Sequence, residues 1–143
     1  MGRIAQFGIA LGALGVVLTF MGLFPGVTGL NPASGIGPLQ IVTMLAGFVI
    51  LIIGALIYVK FTFYIGKPAN LAQQIGVRLA LTGLLFAGMT GLADVVGFGS
   101  HLRSNNNAEP LFGILQAIGI ITSFLMAGIG VLIYAISGDI SEN

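Results

Sequence analysis

Four apolar runs, each about as long as a bilayer is thick, dominate this sequence of 143 residues. A helix needs about 20 consecutive, mostly apolar residues to cross the hydrocarbon core of a membrane. The runs cover approximately residues 4–24, 39–59, 75–96 and 111–136, and the first, second and fourth carry no charge. The pattern predicts an all-α membrane protein, with four transmembrane helices in a single domain of residues 1–143.

The scarcity of charged residues excludes a soluble globule. Five Lys and Arg and four Asp and Glu make up 6% of the chain, whereas an ordinary soluble domain carries about 25%. So few charges cannot cover a water-exposed surface. The formal net charge of +1 is too small to predict a nucleic-acid partner. Because the chain has no cysteine, disulfides, thiolate-bound metals and iron–sulfur clusters are excluded.

The basic residues predict how the helices cross the membrane. Four of them fall at one end of the predicted helices, and only Arg103 falls at the other; the four are Arg3, Lys60, Lys67 and Arg78. Lys and Arg are enriched on the cytoplasmic side of membrane proteins. We therefore expect an up-down-up-down path in the inner (cytoplasmic) cell membrane, with both termini in the cytoplasm.

The second and fourth runs resemble each other. Residues 37–58 read GPLQIVTMLAGFVILIIGALIY, and residues 113–134 read GILQAIGIITSFLMAGIGVLIY; nine of these 22 positions are identical. An offset of 75 aligns the first and third runs, and it pairs Gly8 with Gly83. The pattern predicts two tandem helical hairpins in the same orientation, covering about residues 3–60 and 78–136.

Small residues recur four positions apart in three of the runs. Such spacing places them on one helix face, where they allow two backbones to approach closely. Glycine-rich helices also produce this spacing without any contact. The predicted packing residues are Gly8, Gly12, Gly83, Ala87, Gly91, Gly119, Ser123 and Ala127.

Two pairs of polar residues occupy matching positions in the second and fourth runs. Gln40 and Gln116 lie near the outer starts of these helices, where they either line a pore, bind a headgroup or satisfy helix-start N–H groups. Tyr58 and Tyr134 lie at the inner ends. Tyrosine suits the membrane interface because its ring is apolar and its hydroxyl is polar, so we expect both to anchor the helices there.

Each of the remaining polar residues that could form a functional site can be interpreted in two ways. Lys60 and Lys67 either capture an anionic lipid headgroup or anchor the helix ends by snorkelling. Asp94 is either a proton or cation relay or an interfacial partner of Arg103 or His101. A single histidine does not provide the ligands of a bis-histidine haem, and His101 is either a pigment ligand or a solvated loop residue. We predict no catalytic residue, metal or cofactor.

One segment resembles a known group of proteins. The stretch GIGPLQIVTMLAGFVILIIGALIYV, with a glycine-rich turn, Gln-Ile and a long aliphatic run, is similar to segments of small four-span membrane proteins of Chloroflexi-type bacteria. The resemblance covers 25 of the 143 residues and transfers no functional residue. It implies an accessory subunit of an electron-transport assembly, such as alternative complex III or a photosynthetic complex.

Three functions fit this pattern to different extents. A non-catalytic accessory subunit, with other membrane subunits and lipids as partners, requires few embedded charges and short loops, and the sequence has both. A small oligomeric transporter or channel requires a polar or ionisable group near the bilayer midplane, where the runs offer only aliphatic residues, Gly, Thr, Ser or Met. A membrane-shaping, coat-like protein would polymerise through the repeated hairpins. We predict the accessory subunit.

Overall fold

The computed structural model describes residues 2–24, 26, 38–93 and 113–138. Within these residues the chain forms four helices and no strand: α1 (Gly2–Leu23), α2 (Pro38–Phe63), α3 (Leu71–Gly91) and α4 (Ile114–Ile136). Each is long and apolar enough to cross a membrane. Even α3, with 21 residues, extends for about 30 Å at 1.5 Å per residue, which matches the hydrocarbon core. The four predicted helices are confirmed.

The helix boundaries differ from the prediction around the connection between α2 and α3. α2 continues to Phe63, so Lys60 lies in its last turn instead of following its end. α3 begins at Leu71 because Asn70 caps it. The Asn70 side chain accepts a hydrogen bond from the Gln73 backbone at 2.8 Å, and the Gln73 side chain accepts one from the Asn70 backbone at 3.2 Å. This reciprocal capping box satisfies two N–H groups at the helix start.

α1 and α2 pack against each other through glycine, with their backbones in contact. A Cβ atom added to Gly8 would lie 2.8 Å from the Tyr58 backbone nitrogen, and one added to Gly22 would lie 2.6 Å from the backbone nitrogen of Met44. Gly8, near the start of α1, contacts the end of α2, and Gly22, near the end of α1, contacts the first part of α2. The two helices are therefore antiparallel.

α3 and α4 form a second antiparallel pair of the same kind. A Cβ atom on Gly76 would lie 2.7 Å from the Tyr134 backbone nitrogen, and one on Gly83 would lie 2.6 Å from that of Ala127. Only glycine allows the two backbones to approach this closely.

The two helix pairs meet through α2, which packs against both α3 and α4. At the centre of this junction the rings of Phe48 and Phe124 stack with centroids 3.6 Å apart and planes 15° from parallel. Ile52, Ala80 and Ala127 are buried around them. α1 packs mainly on α2 and leaves most of its own surface uncovered.

Candidate functional site

The predicted packing residues lie at or beside helix contacts. Six of the eight are buried, and Gly12 and Gly119 are half-buried; the buried ones are Gly8, Gly83, Ala87, Gly91, Ser123 and Ala127. The Gly12 backbone contacts Gly54, although a Cβ on Gly12 itself would meet nothing within 4 Å. A Cβ on Gly119 would lie 2.5 Å from the Thr90 side chain. The six buried residues therefore lie inside helix contacts, whereas the Cβ position of Gly12 faces open space.

The helix contacts align α1 with α3 at a different offset from the 75 residues that the sequence predicted. Gly8 contacts Tyr58 in the first pair, and Gly76 contacts Tyr134 in the second. Tyr58 and Tyr134 are matched positions of α2 and α4. Gly8 therefore corresponds to Gly76, at an offset of 68 residues. The predicted pairing of Gly8 with Gly83 is wrong.

The same offset describes the next contact along each pair. A Cβ atom on Gly15 would lie 2.6 Å from the Leu51 Cα atom, and Gly83 makes the matching approach to Ala127. The contacts thus recur every seven residues, from Gly8 to Gly15 and from Gly76 to Gly83. A period of seven keeps one face of a helix against its partner over several turns.

Several residues of this seven-residue pattern were not predicted; these are Gly15, Gly22, Gly47, Gly54, Gly76 and Gly130, all of them buried. The sequence does contain a signal for them. Residues 6–15 read QFGIALGALG and residues 74–83 read QIGVRLALTG, which share Gln, Gly, Leu and Gly at the same places. The match is not visible in the four-residue spacing of small residues.

The matched glutamines have different surroundings. Gln116 is buried, and its Nε2 donates a 3.0 Å hydrogen bond to the Thr90 carbonyl near the end of α3. Its Oε1 is buried with no partner among the described residues. Gln40 is half-buried at the edge of an apolar groove. Gln116 therefore crosslinks α4 to α3, and among the described residues it satisfies no helix-start N–H group, which was one of the three roles considered for it.

The matched tyrosines also differ. Tyr134 is buried inside the bundle, where its ring meets that of Tyr64 edge-on at 6.1 Å. Tyr58 is half-buried and packs edge-on against Phe63 at 6.3 Å. Tyr134 lies near the end of α4, but Tyr64 from the connection after α2 packs against its ring, so the ring is buried.

This connection, residues 64–70, is bonded to the last turn of α4. The Tyr64 hydroxyl donates a 2.5 Å hydrogen bond to the Ala135 carbonyl, and the Asn70 side-chain nitrogen donates one to the Ser137 carbonyl. Gln73 Nε2 donates to the Tyr134 carbonyl at 3.3 Å. The last carbonyls of a helix lack partners within the helix, so these side chains satisfy them.

The lysines near this connection are close to each other. Lys60 Nζ donates a 2.8 Å hydrogen bond to the Lys67 carbonyl, so part of its hydrogen-bonding capacity supports the turn. Gly66 within this turn has φ of 72°, a conformation that favours glycine. Both predicted roles of the lysines, lipid capture and anchoring, stay open predictions.

Three predicted candidates, Asp94, Arg103 and His101, lie outside the described residues. The described part of the chain contains no Asp, Glu, His or Cys, and so it contains no group of such residues that could hold a metal ion.

The fold therefore defines a class of protein, a bundle of four membrane-length helices held by backbone contacts. No family model, curated protein or solved structure matches this chain.

Proposed function

We propose that this chain is a non-catalytic structural subunit that docks onto a larger membrane protein complex. The observation that carries the proposal is the exposed Arg78 on α3. It lies seven residues after the helix start at Leu71, about 10 Å along the helix axis. Its guanidinium has no hydrogen bond or ion pair among the described residues.

An outward-facing arginine within a membrane helix needs a partner. Charged residues in such helices usually face a protein interior, because lipid solvates them poorly. Near a helix end the side chain can also snorkel to a lipid phosphate. A carboxylate on a neighbouring subunit accepts two parallel hydrogen bonds from the guanidinium and balances its charge at a fixed depth, which is why we propose docking at this face.

Beyond Arg78, apolar side chains line the exposed side of α3, and no described residue covers them. Leu81, Leu85 and Met89, which follow it on the exposed side of α3, are between 51% and 63% exposed. Within the bundle, the stacked Phe48 and Phe124 rings and the residues packed around them occupy the junction of the two pairs. This packing supports a structural role better than transport of an ion or solute.

We further propose that the chain is two hairpins, duplicated in tandem, that cross the inner membrane up-down-up-down. The matching contacts at offsets of 68 residues for α1 and α3 and 76 residues for α2 and α4 support the duplication. With this register the repeats start near Gly2 and Asn70. The basic residues clustered at one end support cytoplasmic termini.

The host that we propose is an electron-transport complex, and this choice rests on the resemblance of residues 35–59 alone. The host would supply all redox centres. The subunit would contribute packing surface and positioned lipid.

Co-purification of the tagged chain from native membranes in a mild detergent tests the proposal. We expect a stoichiometric partner whose reduced-minus-oxidised spectrum shows a redox cofactor. Arg78→Leu should reduce recovery of the partner several-fold, whereas Arg78→Lys, which keeps the charge, should reduce it less. Recovery that is equal for both variants, or ion conduction by the pure chain in liposomes, would contradict the docking role.

A further inference from the structure

An apolar groove of 330 Å³ lies between the two helix pairs, where α1 ends and α2 begins. Three helices form its walls, and the lining includes Gly22 of α1, Met44 of α2, and Ala117 and Ile121 of α4. This volume is at the lower end of the range for small-molecule sites, about 300–1,000 Å³.

The groove exists because the two helix pairs do not pack symmetrically. On one side of α2, α3 fills the space: Ala87 is buried with Ile41 and Leu45, and Leu92 packs against them. On the other side, α1 makes no comparable contact with α4. No described residue therefore fills the space between α1 and α4.

A polar side chain with no hydrogen bond to any described residue lies at the edge of this groove. Gln40 lines it, is half-buried, and has no hydrogen bond to any described residue. Its matched residue, Gln116, bonds to the Thr90 carbonyl. Gln40 is the third residue of α2, which begins at Pro38. Its amide therefore lies at the depth where a membrane-spanning helix leaves the hydrocarbon core.

We propose that the groove binds one glycerophospholipid, with an acyl chain along the apolar walls and an ester carbonyl accepting a hydrogen bond from Gln40 Nε2. A phospholipid carries its ester carbonyls at the depth of a helix end and its chains below them, which matches the order of polar and apolar groups in this site. Because lipid tails gain little from apolar contact alone in a membrane, the shape of the groove and the hydrogen bond supply the selectivity. This inference does not depend on the proposed docking at Arg78.

Photolabelling of the reconstituted full chain tests the proposal. The probe is phosphatidylglycerol with a diazirine in the middle of one acyl chain, incorporated into vesicles with the protein, and the adducts are mapped by mass spectrometry. We expect them to concentrate at residues 117–124. Ala117→Trp, which fills the groove, should reduce these adducts at least fivefold. Ile118→Trp is the control, since Ile118 is 55% exposed on the same helix and does not line the groove.

A second variant tests the hydrogen bond without filling the groove. Gln40→Leu keeps the size of the side chain and should weaken labelling roughly three- to tenfold, as expected for the loss of one hydrogen bond. Adducts spread evenly over the exposed faces, or unchanged in both Ala117→Trp and Gln40→Leu, would overturn the proposal. Stronger competition by an isoprenoid quinone than by unlabelled phosphatidylglycerol would overturn it as well.

Discussion

Gly83 illustrates why single glycines matter in this bundle. A Cβ atom there would lie 2.6 Å from the Ala127 nitrogen and 2.7 Å from the Ser123 carbonyl oxygen. Both atoms belong to the backbone of α4, so neither can move unless the helix moves. Between membrane helices there is little hydrophobic driving force, and close packing supplies much of the association energy.

We predict that Gly83→Ala destabilises the protein by about 1–3 kcal/mol, the usual range for overpacking. The matched control is Gly88→Ala on the same helix, where an added Cβ would meet nothing within 4 Å. There the better helix propensity of alanine should leave stability unchanged or raise it by up to about 1 kcal/mol. Thermal unfolding in a mild detergent measures both. Equal melting temperatures for the two variants would show that this contact does not hold α3 to α4.

For single residues, the sequence predicted which residue types lie at helix contacts better than it predicted which residues contact each other. Gly8, Gly83 and Ala127 were predicted at contacts because small residues recur on one helix face. The partner of each residue depends on the relative position of two helices, which the four-residue spacing does not specify. The seven-residue spacing from Gly8 to Gly15 predicts the observed register. It stands out from the other glycine spacings only when it is compared with the same spacing from Gly76 to Gly83 in α3.

The connection between α2 and α3 acts as a unit with the end of α4. Three side chains donate hydrogen bonds to carbonyls at the end of α4. Tyr64 donates to Ala135, Asn70 to Ser137 and Gln73 to Tyr134. Gly138 lies so close to the Tyr64 ring that no side chain fits there. The connection therefore fixes the position of α4 relative to the start of α3.

We predict that Asn70→Ala loosens this junction, because it removes both the cap of α3 and the bond to Ser137. The loss of a cap alone costs about 1 kcal/mol. Amide hydrogen exchange should become faster at residues 70–74 and 135–138. Gln74→Ala is the control, since the exposed Gln74 side chain bonds only to the Ala69 carbonyl within its own connection. Faster exchange at residues 135–138 in the control, or none in Asn70→Ala, would contradict this account.

The elements themselves were largely predictable. Runs of apolar residues as long as a bilayer is thick leave few alternatives to a helix, and α1 to α4 follow these runs closely. The junction was not predictable, because Tyr64 and Ala135 are far apart in sequence. A tyrosine after an apolar run predicts an anchor at the membrane interface. Tyr64 is instead a buried hydrogen-bond donor because α4 ends beside it.

The whole molecule is two antiparallel helix pairs that meet at Phe48 and Phe124, with α1 at the edge. The pairs contact each other through fewer residues than the helices within each pair. Close packing within the pairs and looser packing between them produce the groove beside Gln40, and no described residue covers the outer face of α3.

We predict that both ends of the chain lie on the cytoplasmic side of the membrane. Single cysteines introduced at Asn106 and Ser141 should react with an impermeant thiol reagent from opposite sides. The natural chain has no cysteine, so all labelling comes from the introduced residue. Labelling of both positions from the same side would contradict the four-span topology.

The central claim, docking of α3 onto another membrane protein, is tested most directly by photo-crosslinking in intact native cells. Benzoylphenylalanine replaces Leu85, which is 63% exposed on α3, or in a control Phe48, which is buried at the junction of the pairs. The account predicts one discrete adduct between position 85 and a different protein chain, and no interchain adduct from position 48. Adducts from position 85 only to lipid, or only to a second copy of this chain, would contradict it.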